Sequence, residues 1–141
     1  MYVELLFLIL LFGVFVGVCI VNLYLFTAFA SDFLDVPFVP TTKKYFAPIL
    51  SALAIGPDDV VYELGSGDGR FLIAAARSQP HARCVGIERN AGLILLARIR
   101  AWLIGSPANI TFTRQDLFET DLSEVTKIYC YLLPSVMDRL E

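Results

Sequence analysis

Histidine, cysteine and charge are all scarce in this sequence of 141 residues. His81 is the single histidine, and Cys19, Cys84 and Cys130 form no CxxC pair, so neither a disulfide framework nor a His/Cys zinc site is predicted. Charged residues make up only 18% of the chain, and the 14 acidic residues outnumber the 11 basic ones. This balance provides no broad positive surface for a phosphate backbone, so we expect no metal and no nucleic acid among the partners.

A long apolar segment accounts for much of the 57% hydrophobic content. No formal charge occurs between Glu4 and Asp32. A helix of this length would span roughly 40 Å, at about 1.5 Å per residue, whereas the hydrocarbon core of a bilayer is about 30 Å thick. A signal peptide is the alternative, because Ala28-Phe29-Ala30 resembles a cleavage site, but no Lys or Arg precedes Lys43. We therefore predict a transmembrane anchor over residues 1–31.

Two features bear on the topology and packing of this anchor. Lys43 and Lys44 follow it, and no Lys or Arg lies on its other side, which predicts a single-pass membrane protein with its C-terminal domain in the cytoplasm. Gly13 and Gly17 have the GxxxG spacing that allows close helix–helix self-association, although chance also produces this spacing in apolar helices.

Residues 32–42 form a connector that contains Pro37 and Pro40. Each proline biases the preceding residue towards an extended conformation, so this segment is predicted to be irregular rather than helical. It is apolar for a linker. Two interpretations stay open from the residues alone: a strap packed against the next domain, or a lid over a ligand.

From residue 43 onwards, helical and strand patterns alternate, which is typical of an α/β fold with a parallel sheet. The fourth predicted strand is apolar on both faces, as in a strand that has neighbours on either side. Because the sequence stops eight residues after it, we expect a truncated sheet and favour a fragment of a longer domain over an exposed edge or a partner that completes the sheet. The predicted elements are helix Lys43–Ile55, strand Asp59–Leu64, helix Arg70–Ser78, strand Ala82–Glu88, a helix from the Asn90 cap to about Ile104, and strands Ile110–Thr113 and Lys127–Leu133.

The third of these helices carries apolar and basic residues in close succession. We predict that Trp102 lies in the core together with Leu93, Leu96 and Ile99. Arg98 and Arg100 are predicted to form a solvated helix face, with a surface for an acidic partner as the alternative.

A glycine-rich turn follows the first predicted strand, with glycines at 65, 67 and 69. Glycines at such a turn let a ligand lie directly against the backbone and the helix N-terminus. Glu88 ends the next strand 19 residues after Gly69, where a carboxylate can accept both hydroxyls of a ribose. A nucleotide site is therefore predicted at this turn.

The residues within the turn favour one nucleotide. A dinucleotide fingerprint requires a small residue at position 70, which is Arg70 here, and Asp68 would repel a pyrophosphate. S-adenosylmethionine carries no phosphate and has a cationic centre. We expect Glu63 to meet its ammonium group, and the turn residues Gly65, Ser66, Gly67, Asp68 and Gly69 to line its amino-acid portion.

The pattern Glu63-x-Gly65-x-Gly67-x-Gly69 with Glu88 resembles the first two motifs of the class I, seven-stranded S-adenosylmethionine-dependent methyltransferases. Asp116-Leu117 is similar to the third motif, in which an acidic side chain and the following backbone N–H contact the adenine. The resemblance implies a Rossmann-like fold of parallel strands, here without the strands that the family carries after the fourth. It also implies a methyltransferase domain over residues 43–141.

A narrower resemblance is carried by the apolar helix, by Pro37-Phe38-Val39-Pro40-Thr41 and by Arg98-Ile99-Arg100-Ala101-Trp102. The chain resembles the membrane-anchored lysine methyltransferases that modify adenine nucleotide translocase and the ATP synthase c-subunit, and their prokaryotic relatives. This resemblance implies a protein-lysine N-methyltransferase whose substrate is a protein, for example a small membrane protein. It places Thr41 at the cofactor and Pro37, Phe38 and Pro40 at the substrate.

The chain departs from many amino-group methyltransferases after the fourth strand. In place of an Asp/Asn-Pro-Pro-aromatic element it has Tyr131-Leu132-Leu133-Pro134, so backbone carbonyls near Leu132 or Leu133 are expected to hold the target amine. No catalytic acid or base is assigned, because in-line methyl transfer mainly requires alignment. Two other functions stay open: a nicotinamide-dependent oxidoreductase, and a non-catalytic membrane adaptor with a remnant methyltransferase fold.

Overall fold

The computed structural model describes residues 2–33, 39–105 and 107–140. The chain divides into two compact units, Met1–Val36 and Pro37–Glu141. The first unit consists of one helix, α1 (Tyr2–Phe33), in which Glu4–Leu23 is long and apolar enough to cross a membrane. The side-chain amide of Asn22 donates to the Val18 carbonyl oxygen at 2.8 Å, so this amide is satisfied within its own helix.

The second unit is a four-stranded parallel sheet with helices, which confirms the predicted α/β class. In chain order the elements are α2 (Phe46–Leu53), β1 (Val60–Leu64), α3 (Arg70–Ser78), β2 (Arg83–Glu88), α4 (Ala91–Leu103), β3 (Ile110–Arg114), β4 (Lys127–Cys130) and α5 (Pro134–Met137). The strand order is β3-β2-β1-β4. A 3₁₀ turn at Lys43–Tyr45 precedes α2, and a second one at Leu117–Glu119 follows β3.

Most predicted boundaries agree with these elements to within two residues, and α3 agrees at both ends. Two predicted elements end earlier in the structure. The first predicted helix ends at Leu53 because Ala54 adopts a left-handed conformation with φ of 44°. The last strand ends at Cys130 rather than Leu133, since Leu133 caps the short helix α5.

The main core lies between the sheet and the pair α3 and α4. Asn90 caps α4 as predicted, since its side chain accepts a hydrogen bond from Leu93 N–H at 2.9 Å. On the opposite face of the sheet, a smaller cluster forms around Leu64, Val85 and Ile87. The main core is built from Val61, Leu72, Ile73, Ala76, Cys84, Ile94, Ala97, Ala101 and Phe112.

The prediction that Trp102, Leu96 and Ile99 lie in the core is wrong, because all three side chains are exposed. Only Leu93 of that predicted group is buried. The helix face that meets the sheet instead carries small residues, Ala97 and Ala101, which let α4 approach the sheet closely. The helix is apolar on two sides, so the sequence does not indicate which side is buried. The rotation of α4 about its own axis decides which apolar residues face the sheet.

Gly86 in the middle of β2 tests this close packing. A Cβ at Gly86 would lie 2.7 Å from Phe112 Cδ1 and 2.8 Å from Ser66 Oγ. We expect Gly86→Ala to lower the free energy of unfolding by about 1–3 kcal/mol, because the neighbours must shift. Gly56→Ala is the matched control, since its Cβ would meet only Asp59 Oδ2 at 3.5 Å. Urea unfolding of both variants measures the difference, and equal stability would contradict the packing described here.

Candidate functional site

The turn between β1 and α3 is fixed against the carboxyl end of β2. The backbone N–H groups of Gly65 and Ser66 both donate to the Ile87 carbonyl oxygen at 2.9 Å. Gly69 N–H donates back to the Ser66 carbonyl oxygen at 2.9 Å, which closes the turn. The glycine loop, residues 65–69, is therefore held in one conformation by main-chain bonds.

All three glycines of this loop adopt a backbone conformation that side-chain-bearing residues rarely adopt. Gly65, Gly67 and Gly69 have φ angles of 73°, 52° and 70°. A Cβ at Gly65 would lie 2.5 Å from Leu132 Cδ2, and one at Gly69 would lie 2.6 Å from Phe112 Cζ. Glycine is therefore required in this loop for two reasons: the backbone conformation, and the close packing of neighbouring side chains.

Glu88 and the glycine loop meet directly. Glu88 Oε2 accepts a hydrogen bond from Gly67 N–H at 2.9 Å, and Oε1 accepts one from Asn90 N–H at 2.9 Å. A carboxylate offers about four lone-pair positions, so two acceptor positions remain for a ligand. Gly67 and Glu88 are 21 residues apart in the sequence but hydrogen-bonded in the fold. Together they form a site that can accept two hydroxyl donors beside a backbone without side chains.

Glu63 is buried at the base of this site. On the sheet it lies between Gly86 of β2 and Tyr129 of β4, and its Oε2 accepts a hydrogen bond from Leu72 N–H at 3.1 Å. Burial raises the pKa of Glu63 well above its ordinary value, and the charges of Asp68 and Glu88 raise it further. A cationic group placed next to this carboxyl would favour its ionised form.

Asp68 is held by two arginines, an arrangement that the sequence did not predict. Arg70 Nε donates to Asp68 Oδ1 at 2.9 Å, and Arg100 Nη1 lies 2.6 Å from Asp68 Oδ2. Arg100 Nη1 also donates to the main-chain carbonyl oxygen of Asp68 at 2.7 Å. Burial alone would raise the pKa of Asp68, but the hydrogen bonds from both arginines outweigh burial and lower it.

This arrangement corrects the prediction that Arg100 belongs to a solvated helix face. Arg100 is half-buried and joins α4 to the glycine loop. Arg98 is exposed, yet its Nη2 donates to the Phe112 carbonyl oxygen at 2.8 Å. The Arg100 guanidinium is engaged within the domain, whereas Arg98 uses one of its five N–H donors for the Phe112 carbonyl oxygen. The Asp68 carboxylate is directed into the Arg70–Arg100 pair, which ties the glycine loop to α3 and α4.

Asp116 and Leu117 follow β3 at the same end of the sheet. Gln115 N–H donates to the Glu88 carbonyl oxygen at 3.1 Å, which ties this segment to the end of β2. The Asp116 side chain accepts a hydrogen bond from Phe118 N–H at 3.0 Å and so caps the 3₁₀ turn. One of its carboxylate oxygens is engaged locally, while Leu117 packs on the smaller core cluster.

Tyr129 connects the segment before the domain to the site, and the sequence analysis missed it. The Thr41 and Tyr129 hydroxyl oxygens are 3.3 Å apart. The centroids of the Tyr129 and Phe71 rings are 4.1 Å apart. Burial raises the pKa of Tyr129. Tyr129 pairs with Glu63 of β1, and residues paired across two strands share a face of the sheet. A correct alignment of the two predicted strands would therefore have placed Tyr129 next to the predicted site residue Glu63.

The predicted substrate-site residues differ in how they are placed. Pro37 and Phe38 fall outside the described residues, and Pro40 is exposed. Leu132 lies against Gly65, as its Cδ2 position shows. The Leu133 carbonyl oxygen accepts from Val136 N–H at 2.9 Å and from Met137 N–H at 3.1 Å. Both of its lone pairs are therefore used by the turn into α5, which begins at Pro134.

Within the described ranges, no group of three or more His, Cys, Asp or Glu side chains is arranged to hold a metal ion. The chemical character of the site is that of a bare backbone loop with carboxyl groups on its flanks. This arrangement fits a nucleoside with a cationic substituent and no phosphate.

Comparison with known proteins agrees with this character. Residues 63–141 match the family model described as the ANTKMT methyltransferase domain. The protein-lysine N-methyltransferase of Saccharolobus islandicus (strain REY15A) is 35% identical over 106 residues, which cover 75% of this chain and 66% of that protein. The mouse (Mus musculus) adenine nucleotide translocase lysine N-methyltransferase is 36% identical over 108 residues, 77% of this chain and 46% of that protein.

The human (Homo sapiens) lysine N-methyltransferase of the ATP synthase c-subunit is 35% identical over 105 residues, 74% of this chain and 44% of that protein. The chain thus spans less than half the length of these two mammalian relatives. Among solved structures, an RNA methyltransferase from Salinibacter ruber in complex with S-adenosyl-L-homocysteine has a TM-score of 0.68 and 45% identity, covering 72% of this chain and 66% of that one.

The arginine clamp on Asp68 gives a first prediction for this site. Arg100→Gln leaves a buried carboxylate with one fewer partner, and we expect a loss of about 1–3 kcal/mol in unfolding free energy. Arg98→Gln on the same helix removes one part-buried hydrogen bond, to the uncharged Phe112 carbonyl oxygen, and should cost about 0.5–1.5 kcal/mol.

Comparing Arg100→Gln with Arg98→Gln at low pH shows whether the clamp on Asp68 is electrostatic. Because the pKa of Asp68 is lowered in the folded state, the stability it contributes is present above its ordinary pKa of 3.8 and is lost as pH falls through the folded value. Arg100→Gln should raise the folded pKa, so acid unfolding measured by circular dichroism should begin at higher pH than in Arg98→Gln. Identical acid transitions would contradict the clamp.

Glu63 predicts the opposite dependence. Its folded pKa is raised, so its contribution is fully present below the unfolded value of 4.5 and is lost as pH rises through the raised value. Within that window Glu63→Gln should gain on the parent by about 1.4 kcal/mol per pH unit. Thermal unfolding of both proteins across a pH series measures this difference, and a difference that is constant with pH would show that Glu63 is not a buried acid.

Proposed function

The chain belongs to the ANTKMT methyltransferase family, and from that premise we propose that it is an S-adenosylmethionine-dependent methyltransferase that modifies a lysine of a protein substrate. The observation that carries this proposal is the hydrogen bond from Gly67 N–H to Glu88. It joins a bare backbone loop, which suits the amino-acid portion of the cofactor, to a carboxylate with acceptor positions left for a ribose. S-adenosyl-L-homocysteine in the Salinibacter ruber relative supports the same assignment.

The predicted cofactor contacts have places in this proposal, except for Asp68, whose carboxylate is held by Arg70 and Arg100. Glu88 accepts the ribose hydroxyls, and the backbone of Gly65, Ser66, Gly67 and Gly69 lines the amino-acid portion. Glu63 faces the ammonium group and is drawn towards its ionised form when that cation is bound. Asp116 uses its remaining carboxylate oxygen for the adenine amino group, while Leu117 N–H meets a ring nitrogen.

The chemical step makes small demands on this chain. When bound, S-adenosylmethionine supplies an electrophilic methyl group, and the protein must align a neutral amine behind it. The Leu132 carbonyl oxygen is a better acceptor for the target amine than that of Leu133, which is engaged by Val136 and Met137. Apolar surroundings at Leu132 depress the pKa of a lysine and favour its neutral, nucleophilic form.

Thr41 and Tyr129 extend this arrangement to the segment before the domain. Their hydroxyl contact holds residue 41 against the strand that pairs with β1 beside Glu63. This contact is compatible with both the strap and the lid interpretation of residues 32–42; the family resemblance is the reason to place Pro37, Phe38 and Pro40 near the substrate.

Membrane anchoring is the second part of the proposal. α1 contains one candidate span, Glu4–Leu23, which is by itself a weak indication. Lys43 and Lys44 favour a single-pass topology with residues 43–141 in the cytoplasm. Anchoring would raise the effective concentration of substrates in the same bilayer, and Gly13 and Gly17 would allow two anchors to pair.

Three other functions are distinguishable from this one. A nicotinamide dinucleotide site has a small residue at the third position of its fingerprint, where this chain has Arg70 held against Asp68. RNA as the methyl acceptor is a second candidate, because the Salinibacter ruber relative is described as an RNA methyltransferase. A non-catalytic adaptor would bind the cofactor or a partner without transfer.

Cofactor affinity tests the site. Glu88→Ala removes the acceptor for two ribose hydroxyls, and we expect S-adenosyl-L-homocysteine to bind about tenfold to a hundredfold more weakly in isothermal titration. Glu124→Ala is the matched control, because Glu124 is an exposed acid that bridges Arg83 at 3.4 Å, away from the glycine loop. Unchanged affinity in Glu88→Ala would remove the basis of the proposal.

Methyl transfer tests the acceptor. The purified 141-residue chain is incubated with radiolabelled S-adenosylmethionine and membranes, and protein and RNA fractions are counted separately. We expect label in a protein band, at lysine after acid hydrolysis. Label confined to RNA would favour the second candidate, and cofactor binding without label in either fraction would favour the adaptor.

A further inference from the structure

The face of α4 that points away from the sheet carries five exposed apolar side chains. Trp102 is 70% exposed and Leu103 69%. Residues spaced three, four or seven positions apart lie on one side of a helix, so the five form a continuous stripe opposite the buried Ala97 and Ala101. We call this set, Leu95, Leu96, Ile99, Trp102 and Leu103, the α4 stripe.

No charged side chain interrupts the α4 stripe. Arg98 and Arg100 lie at its two edges, and both guanidinium groups turn back to the domain, to the Phe112 carbonyl and to Asp68 respectively. The helix therefore exposes apolar surface to solvent without the polar face that a surface helix normally has. Contiguous exposed apolar surface of this kind marks a contact with a membrane or another protein.

Charge around the stripe distinguishes these occupants. The segment from Arg70 to Arg114 contains seven arginines and one acidic residue, Glu88. From Asp116 to Glu141 six acidic residues accompany two basic ones. Asp68 pairs with Arg70 and Arg100, and Glu124 pairs with Arg83, but the segment from Arg70 to Arg114 keeps a positive net charge. An apolar stripe with an aromatic residue on a positively charged part of the domain complements an anionic lipid surface.

The sheet order separates this stripe from the free edge of the sheet. α4 packs on β2 and β3, whereas β4 lies at the opposite end of the order β3-β2-β1-β4. A strand added beyond β4 would therefore extend the sheet away from α4. An extension of the sheet beyond β4 therefore does not cover the α4 stripe.

We propose that the α4 stripe lies on the surface of an anionic lipid bilayer. Trp102 and the leucines enter the interfacial region, where tryptophan is preferentially found, and the positive net charge of the segment from Arg70 to Arg114 attracts the domain to anionic headgroups. The inference rests on the proposed membrane anchoring by α1. It adds that the folded domain is itself a lipid-binding surface, which fixes the domain on the membrane through a helix whose Arg100 clamps the glycine loop.

Trp102 allows a direct test, because it is the only tryptophan in the chain. The full chain is reconstituted into phosphatidylcholine vesicles with and without phosphatidylglycerol, and with or without brominated acyl chains that quench tryptophan on contact. In the anionic vesicles we expect about a twofold loss of Trp102 emission with brominated lipid, together with protection from aqueous acrylamide. The double variant Trp102→Phe with Glu124→Trp is the control, and its tryptophan should behave in the opposite way.

Each other outcome overturns the inference in a recognisable way. Trp102 quenched by acrylamide and untouched by brominated lipid would mean that the stripe faces water. Protection from both quenchers, increasing with protein density, would mean that a second copy or another protein covers the stripe. Release of the chain from the vesicles by alkaline carbonate would overturn the anchoring and this inference together, whereas retention with a water-exposed Trp102 would overturn this inference alone.

Discussion

The hydrogen bond between Gly67 N–H and Glu88 is the interaction on which the rest of the site depends. It joins the turn after β1 to the end of β2, two segments that parallel pairing already brings side by side. Main-chain hydrogen bonds from Gly65 and Ser66 to the Ile87 carbonyl oxygen stabilise the same junction. A ligand that binds here meets a loop already in its final conformation, so little conformational entropy is lost on binding.

Asp68 extends this junction to α4. Its buried carboxylate would be unfavourable alone, and the arginines of α3 and α4 compensate for the loss of solvent. Arg100 thus makes the conformation of the glycine loop dependent on the position of α4. That same helix exposes the α4 stripe, so one element contacts the loop on one side and carries the proposed lipid surface on the other.

The fold and the centre of the site could be predicted from the sequence because both depend on local signals. Strand and helix periodicity, the Asn90 cap, and glycines at 65, 67 and 69 each act over a few residues. The exposure of Trp102 could not be predicted, because α4 is apolar on two sides and only packing selects the buried face. The Arg100–Asp68 pair joins residues 32 apart, and the Thr41–Tyr129 contact joins residues 88 apart. Such contacts depend on how the elements assemble, which no local pattern encodes.

The central claim is that this loop and its carboxyl groups hold an adenosyl cofactor without a phosphate. Isothermal titration of the full chain with S-adenosyl-L-homocysteine and, separately, with a nicotinamide dinucleotide tests it most directly. The account predicts saturable binding of the first with one site per chain and no measurable heat from the second. Binding of the dinucleotide in preference to S-adenosyl-L-homocysteine, or binding of neither, would contradict it.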